Sequence, residues 1–312
     1  MSYRPASPPG TTSVWLPRIR TSLVALVTVQ VLWALCFPLI ARGSGMAPPL
    51  FFAAQRAVVG AVVLLGIAAL LRKPMPRGRF EWMSVGVVGL TATTLGFFGM
   101  FQATEFVAPG FASVLTETQP LIAAVLAYWV IGERLSRLAR AGLALGFIGI
   151  IVVALPNLLV EGGATSAIGS GYVLLGAFGV AVGNVLMKRL AGTVDPVAAM
   201  GLQLFIGAVP LLAGALLLEQ IPPTAWAGRH LLDVAALGIL GTAAVYGLWF
   251  WVLEREPLSR ANAFNFLAPL LGLLIGVAFL GERISWVQTA GVVVTLSAIA
   301  LVNAQPVKRT RG

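Results

Sequence analysis

Two ionisable side chains stand inside long apolar runs, Arg56 and Glu117. Placing a charged side chain in lipid costs on the order of 2.5–3.5 kcal/mol. Residues kept at that cost usually face a cavity and serve function. Together they have the chemistry to hold a zwitterion, Arg56 for a carboxylate and Glu117 for an ammonium. Ser113, Thr116, Glu117 and Pro120 are spaced i, i+3, i+4 and i+7, which is one stripe of a helix. At a constant offset of 149 the stripe recurs as Asn262, Asn265, Phe266 and Pro269, so only one copy carries a charge. Each proline removes a backbone donor, which is tolerated in a membrane where polar groups or water are near.

Other residues offer a lining. Thr93, Phe97 and Phe101 are four apart and share a face. Tyr246 and Trp249, with Trp33, would complete an aromatic wall for an apolar side chain. Gln30, Asn184 and Gln203 are amides within apolar runs, suited to ligand contact or to hydrogen bonds between helices. Gln203 joins the candidate lining because it repeats the position of Arg56. Covalent and metal chemistry has no visible machinery. There is one cysteine, Cys36, and one histidine, His230. Phosphate-binding, nucleophile-elbow, dinucleotide and HExxH motifs are missing from the sequence. The reading is therefore no enzyme, no metal and no cofactor.

These side chains need elements that hold them in lipid. The chain has 312 residues, of which 58% are hydrophobic and only 10% charged. Mean hydropathy is +0.93. A soluble domain carries roughly 25% charged residues, so this composition calls for a bilayer. Ten apolar runs approach the ~20 residues a spanning helix needs. They are 22–41, 50–71, 82–101, 108–131, 141–158, 168–187, 196–218, 231–252, 257–280 and 287–302. The prediction is an all-α membrane protein with tails at 1–21 and 303–312. On that topology seventeen Lys and Arg residues fall on one side and three on the other. The bias places both termini in the cytoplasm. It also accounts for the net charge of +10 without nucleic acid, because the cations are scattered between apolar runs. Trp15, Trp82, Trp129, Trp226, Trp251 and Trp286 fall near span ends, where tryptophan anchors at the interface. Arg56 and Glu117 lie roughly 9 and 13 Å from the outer face at ~1.5 Å per residue. An ion pair between them across a cavity is therefore expected.

The chain is a duplication. Residues 120–142 read PLIAAVLAYWVIGERLSRLARAG, and 269–291 read PLLGLLIGVAFLGERISWVQTAG. The same offset aligns Gly89 with Gly238 and Thr93 with Thr242. An offset of 147 aligns Pro49 with Pro196, Arg56 with Gln203 and Gly60 with Gly207. Two five-span repeats are predicted, at 22–158 and 168–302. Five is odd, so the second copy enters the membrane from the opposite face, an inverted-topology repeat.

The ten spans, the two repeats and the duplicated hairpin around Gly132-Glu133-Arg134 and Gly281-Glu282-Arg283 resemble the EamA family of the drug/metabolite transporter superfamily. The resemblance implies a plasma-membrane carrier of small metabolites, often an exporter, with amino-acid exporters in the group. It also implies a central cavity among helices one to four and six to nine, with five and ten peripheral. The expectation is a secondary transporter of amino acids or related zwitterions working by alternating access. A flippase for lipids or lipid-linked metabolites and a cationic drug/proton antiporter are the alternatives. Partners are then a small-molecule substrate, the bilayer and, if Glu117 is unpaired, protons. The assembly would be a monomer or homodimer.

Overall fold

A computed structural model describes residues 15–43, 45–107, 112, 115–158, 164–271, 274 and 285–303. Helices dominate them, and among the described residues there is no strand. The first half contains α1 (Trp15–Gly43), α2 (Pro49–Leu70), α3 (Arg79–Ala103), α4 (Gln119–Ile131) and α5 (Arg137–Leu158). The second contains α6 (Ala164–Leu190), α7 (Pro196–Leu218), α8 (Gly228–Leu253), α9 (Leu258–Ala263) and α10 (Trp286–Asn303). Five stretches are long and apolar enough to cross a membrane: Pro49–Leu70, Arg79–Ala103, Ala167–Leu190, Pro196–Leu218 and Gly228–Leu253. Their outward faces carry bare apolar residues such as Leu70, Leu217 and Leu218, each at least 80% exposed. A soluble surface avoids apolar patches of that extent. The molecule is a multi-pass membrane protein.

Helix ends follow from local chemistry, and several are closed by the opposite half. Asp195 caps α7, accepting from the amides of Val197 and Ala198 at 3.0 and 3.2 Å. α2 starts after a proline that supplies no cap. Its free Leu50 and Phe51 amides donate instead to the Glu219 carboxylate beyond α7, at 2.8 and 2.9 Å. Likewise Leu258 and Ser259 at the start of α9 donate to Glu133, just beyond α4. The helix that Glu133 caps belongs to the other repeat. Gly132 ends α4 at φ 68°, a left-handed conformation that favours glycine.

Packing between the halves is reciprocal. α2 packs on α7, α4 on α9 and α5 on α10, each the repeat partner of the other. α3 packs on α6 and α7 just as α8 packs on α1 and α2. Glycine permits the closest approaches: a Cβ on Gly149 would lie 2.9 Å from the Thr295 amide nitrogen in the α5–α10 contact. Both α3 and α8 contain a π-helical turn, at Gly89–Leu95 and Ile239–Ala244. Such bulges concentrate at functional positions.

Candidate functional site

One cavity of about 110 Å³ lies between the halves. That is several times the ~30 Å³ share of one liquid water. One face of α1 lines it with Gln30, Trp33, Cys36 and Ile40. Arg56 comes from α2, and Phe97 and Met100 from α3. The residues at the start of α4 give Thr116, Glu117 and Gln119. The second half supplies Gly176, Ala177 and Val180 from α6, Tyr246 from α8, and Asn265 and Ala268 from the segment after α9. Among the described residues α5, α7 and α10 contribute nothing.

The backbone is irregular where the polar residues sit. The predicted fourth span is not one continuous helix around the stripe. Glu117 and Thr118 form a turn between a helical stretch at 115–116 and the start of α4. Pro120 sits in the first turn of α4, where no amide donor is needed. Thr116 and Glu117 therefore reach the cavity from a broken helix, and Ser113 lies outside the described residues. The other half breaks at the matching place: α9 gives way to a 3₁₀ turn, Phe264–Phe266, which holds Asn265. Non-helical backbone at membrane depth is tolerated where it lines a cavity.

Arg56 and Glu117 line the same cavity, but the expected ion pair is not formed. Arg56 Nε donates to Thr242 Oγ1 at 2.8 Å, and Nη2 donates to the Gly241 carbonyl at 2.9 Å. Both acceptors belong to the π-helical turn of α8. The guanidinium also lies over the Phe97 ring, 4.8 Å from its centroid. Two of its five N–H donors thus go to α8, and Nη2 also lies 3.9 Å from Cys36 Sγ on α1. Among the described residues the ion pairs are Arg42–Asp233, Lys73–Asp195, Arg255–Glu254 and Arg260–Glu256. Glu117 is buried, and its Oε2 has no hydrogen-bond partner among the described residues.

Three amides bridge the halves beside it. Gln30 Nε2 donates to Asn265 Oδ1 at 3.1 Å, and Asn265 Nδ2 donates to Gln119 Oε1 at 2.9 Å. Gln30 Oε1 and Gln119 Nε2, at the two ends, are buried and unpartnered among the described residues. A buried polar atom left unmet costs about 1–3 kcal/mol.

The remaining candidates divide. Trp33, Phe97 and Tyr246 line the cavity. Phe101 packs edge-on against Phe52 instead. Trp249 lies tilted against Trp33, ring centroids 5.7 Å apart, and donates its indole N–H to Asn184 at 2.9 Å, so it supports the wall without lining it. Gln203 is fully buried away from the cavity, because its side-chain carbonyl accepts from Thr93 Oγ1 at 2.7 Å across the α7–α3 crossing. Asn262 is buried outside the lining, one turn before Asn265. Sequence reading passed over Gln119, although it is an amide in the same apolar run as Glu117. It also passed over the small residues Gly176 and Ala177. Gly176 lets α3 approach α6, since a Cβ there would sit 3.1 Å from the Gly96 carbonyl oxygen; no polar signal marks it.

The EamA-like transporter family matches the chain twice, over residues 20–155 and 167–304. A WAT1-related chloroplast protein of Arabidopsis thaliana is 32% identical over 82% of this chain, a stretch spanning 63% of that protein's length. A probable amino-acid metabolite efflux pump of Salmonella typhimurium is 28% identical over 90% of this chain and 93% of its own. A protein of known crystal structure shares the fold with a TM-score of 0.75 at 22% identity, covering 90% of this chain and 96% of its own. With two family matches that tile both halves around one cavity, this chain belongs to the EamA-like transporter family and is a membrane transporter of that type.

Proposed function

We propose that the protein is a secondary transporter of small zwitterionic metabolites, amino acids above all, moving them outward across the plasma membrane by alternating access. The observation that carries this reading is a cavity holding one guanidinium and one carboxylate that do not neutralise each other. A zwitterion supplies both missing charges: its carboxylate goes to Arg56 and its ammonium to Glu117. Trp33, Phe97 and Tyr246 form the apolar wall for its side chain. The reciprocal packing of the halves supports ten spans arranged as two inverted repeats, because one fold facing both ways lets small asymmetries exchange access. The Lys and Arg bias supports cytoplasmic termini. The efflux pump among the relatives supports the outward direction. Among the described residues Glu117 has no cationic partner, so it binds the substrate ammonium in one half-cycle and a proton in the other.

Counterflow into proteoliposomes tests this. Native protein loaded with unlabelled leucine takes up labelled leucine, and Glu117→Gln loses uptake while remaining folded in detergent. An inward proton gradient drives leucine out through the native protein only. Equal counterflow by native protein and Glu117→Gln would overturn the assignment.

A further inference from the structure

We infer that the cavity selects a primary ammonium group with a neighbouring carbonyl-type oxygen, and that the amide chain Gln30–Asn265–Gln119 is the selector. The inference rests on the transport reading above and narrows its substrate class.

The chain of amides has a direction. Gln30 gives an N–H to Asn265, and Asn265 gives one to Gln119. One end must then present an unused carbonyl and the other an unused N–H₂. Turning all three amides around would only exchange the ends. The unused atoms are Gln30 Oε1 and Gln119 Nε2, both sealed from solvent. Glu117 Oε2, two residues from Gln119, is a third. The three residues are at least nine-tenths buried and line the same cavity. What they lack is specific: donors for two acceptors, and one acceptor for a donor.

A primary ammonium carries three N–H donors, enough for both acceptors. An oxygen on the adjacent carbon meets the Gln119 N–H₂. Each N-methyl group deletes one donor and presses carbon against a polar wall. A trimethylammonium has no donor left. This decides between two readings of the lining. Trp33, Phe97 and Tyr246 have the composition of an aromatic cage, which suits quaternary cations. The unmet hydrogen bonds belong to the polar wall and reject such cations, because a site built to hydrogen-bond discriminates strongly against an analogue lacking the group.

The test is counterflow in proteoliposomes with leucine and its N-methyl, N,N-dimethyl and N,N,N-trimethyl derivatives. Native protein moves leucine, loses little with the first methyl, which leaves two donors for the two acceptors, and loses roughly tenfold with each of the next two, the scale of one hydrogen bond. Asn265→Leu, which cuts the chain in the middle, flattens the series to within about threefold while some flux persists. Gln30→Met removes the terminal acceptor without touching the Asn265–Gln119 bond and lowers the methylation penalty by about one step if Asn265→Leu fails to fold. Trimethylated leucine moving as fast as leucine overturns the selector and leaves transport standing. A full methylation penalty in both folded variants does the same. Native protein that moves none of the four compounds ends the transport reading, and the selector falls with it.

Discussion

Where α2 crosses α8, a Cβ on Gly60 would lie 2.8 Å from the Thr242 methyl group, and Thr242 Oγ1 accepts from Arg56 Nε. Where α7 crosses α3, a Cβ on Gly207 would meet Thr93, and Thr93 Oγ1 donates to Gln203. Gly238 abuts Val59 and Gly89 abuts the Gln203 backbone, so the second glycine of each crossing matches too. Both threonines sit in a π-helical turn. The two crossings are one design made twice, with one substitution at its centre. Arg56 reaches the cavity from its crossing, and Gln203 does not. Duplication supplies a symmetric scaffold, and a single side-chain difference makes only one crossing charged. Carriers need that division, because the frame must face both ways while the cargo is held by chemistry found once.

Six substitutions, in four tests, break or sharpen this comparison. Gln203→Arg should have the largest effect, because it buries a second charge at a crossing that has no open cavity beside it. The expected cost is about 2.5–3.5 kcal/mol, read as lost yield of folded protein and a lower Tm in detergent. Arg56→Gln makes the two crossings chemically alike and leaves the fold standing. Removing a charge-assisted contact of about 1.5–3 kcal/mol should lower leucine counterflow roughly tenfold to a hundredfold with little change in Tm. Gly60→Leu and Gly207→Leu should each cost about 1–3 kcal/mol from overpacking, and by similar amounts, since the close approach is shared. Unequal losses of Tm would show the crossings to be mechanically different. Thr242→Val and Thr93→Val separate the roles at the smallest scale. Thr93→Val loses one hydrogen bond worth about 0.6 kcal/mol and keeps flux. Thr242→Val frees the guanidinium and should raise the KM for leucine several-fold at unchanged protein stability. Equal KM in both valine variants would remove Thr242 as the residue that positions Arg56.

Legibility followed the physics of each signal. The apolar runs and the 149-residue offset are properties of the string, so the helices and the doubling were open to reading. Arg56, Glu117 and Asn265 stood out because a polar group in an apolar run needs a partner, and all three meet at the cavity. Gln203 and Trp249 carried the same signal and belong elsewhere, since Thr93 holds the Gln203 carbonyl and Asn184 the Trp249 indole N–H. A sequence shows that a buried polar group needs satisfying, and it does not show by whom. The helical stripe through Ser113 and Pro120 assumed an unbroken helix, and the turn at Glu117 and Thr118 breaks it.

Composition and periodicity alone determined that this chain lives in lipid, is helical, is doubled and hides two charges, because each of these is a local cost that must recur along the string. Only the tertiary structure decided that Arg56 binds α8 in place of Glu117, that Glu117 Oε2 stays unmet, and that three amides from both halves join in one directed chain. Those outcomes depend on which hydrogen-bonding atoms come within about 3 Å of each other after helices distant in sequence have packed, and no pattern along the chain records that distance.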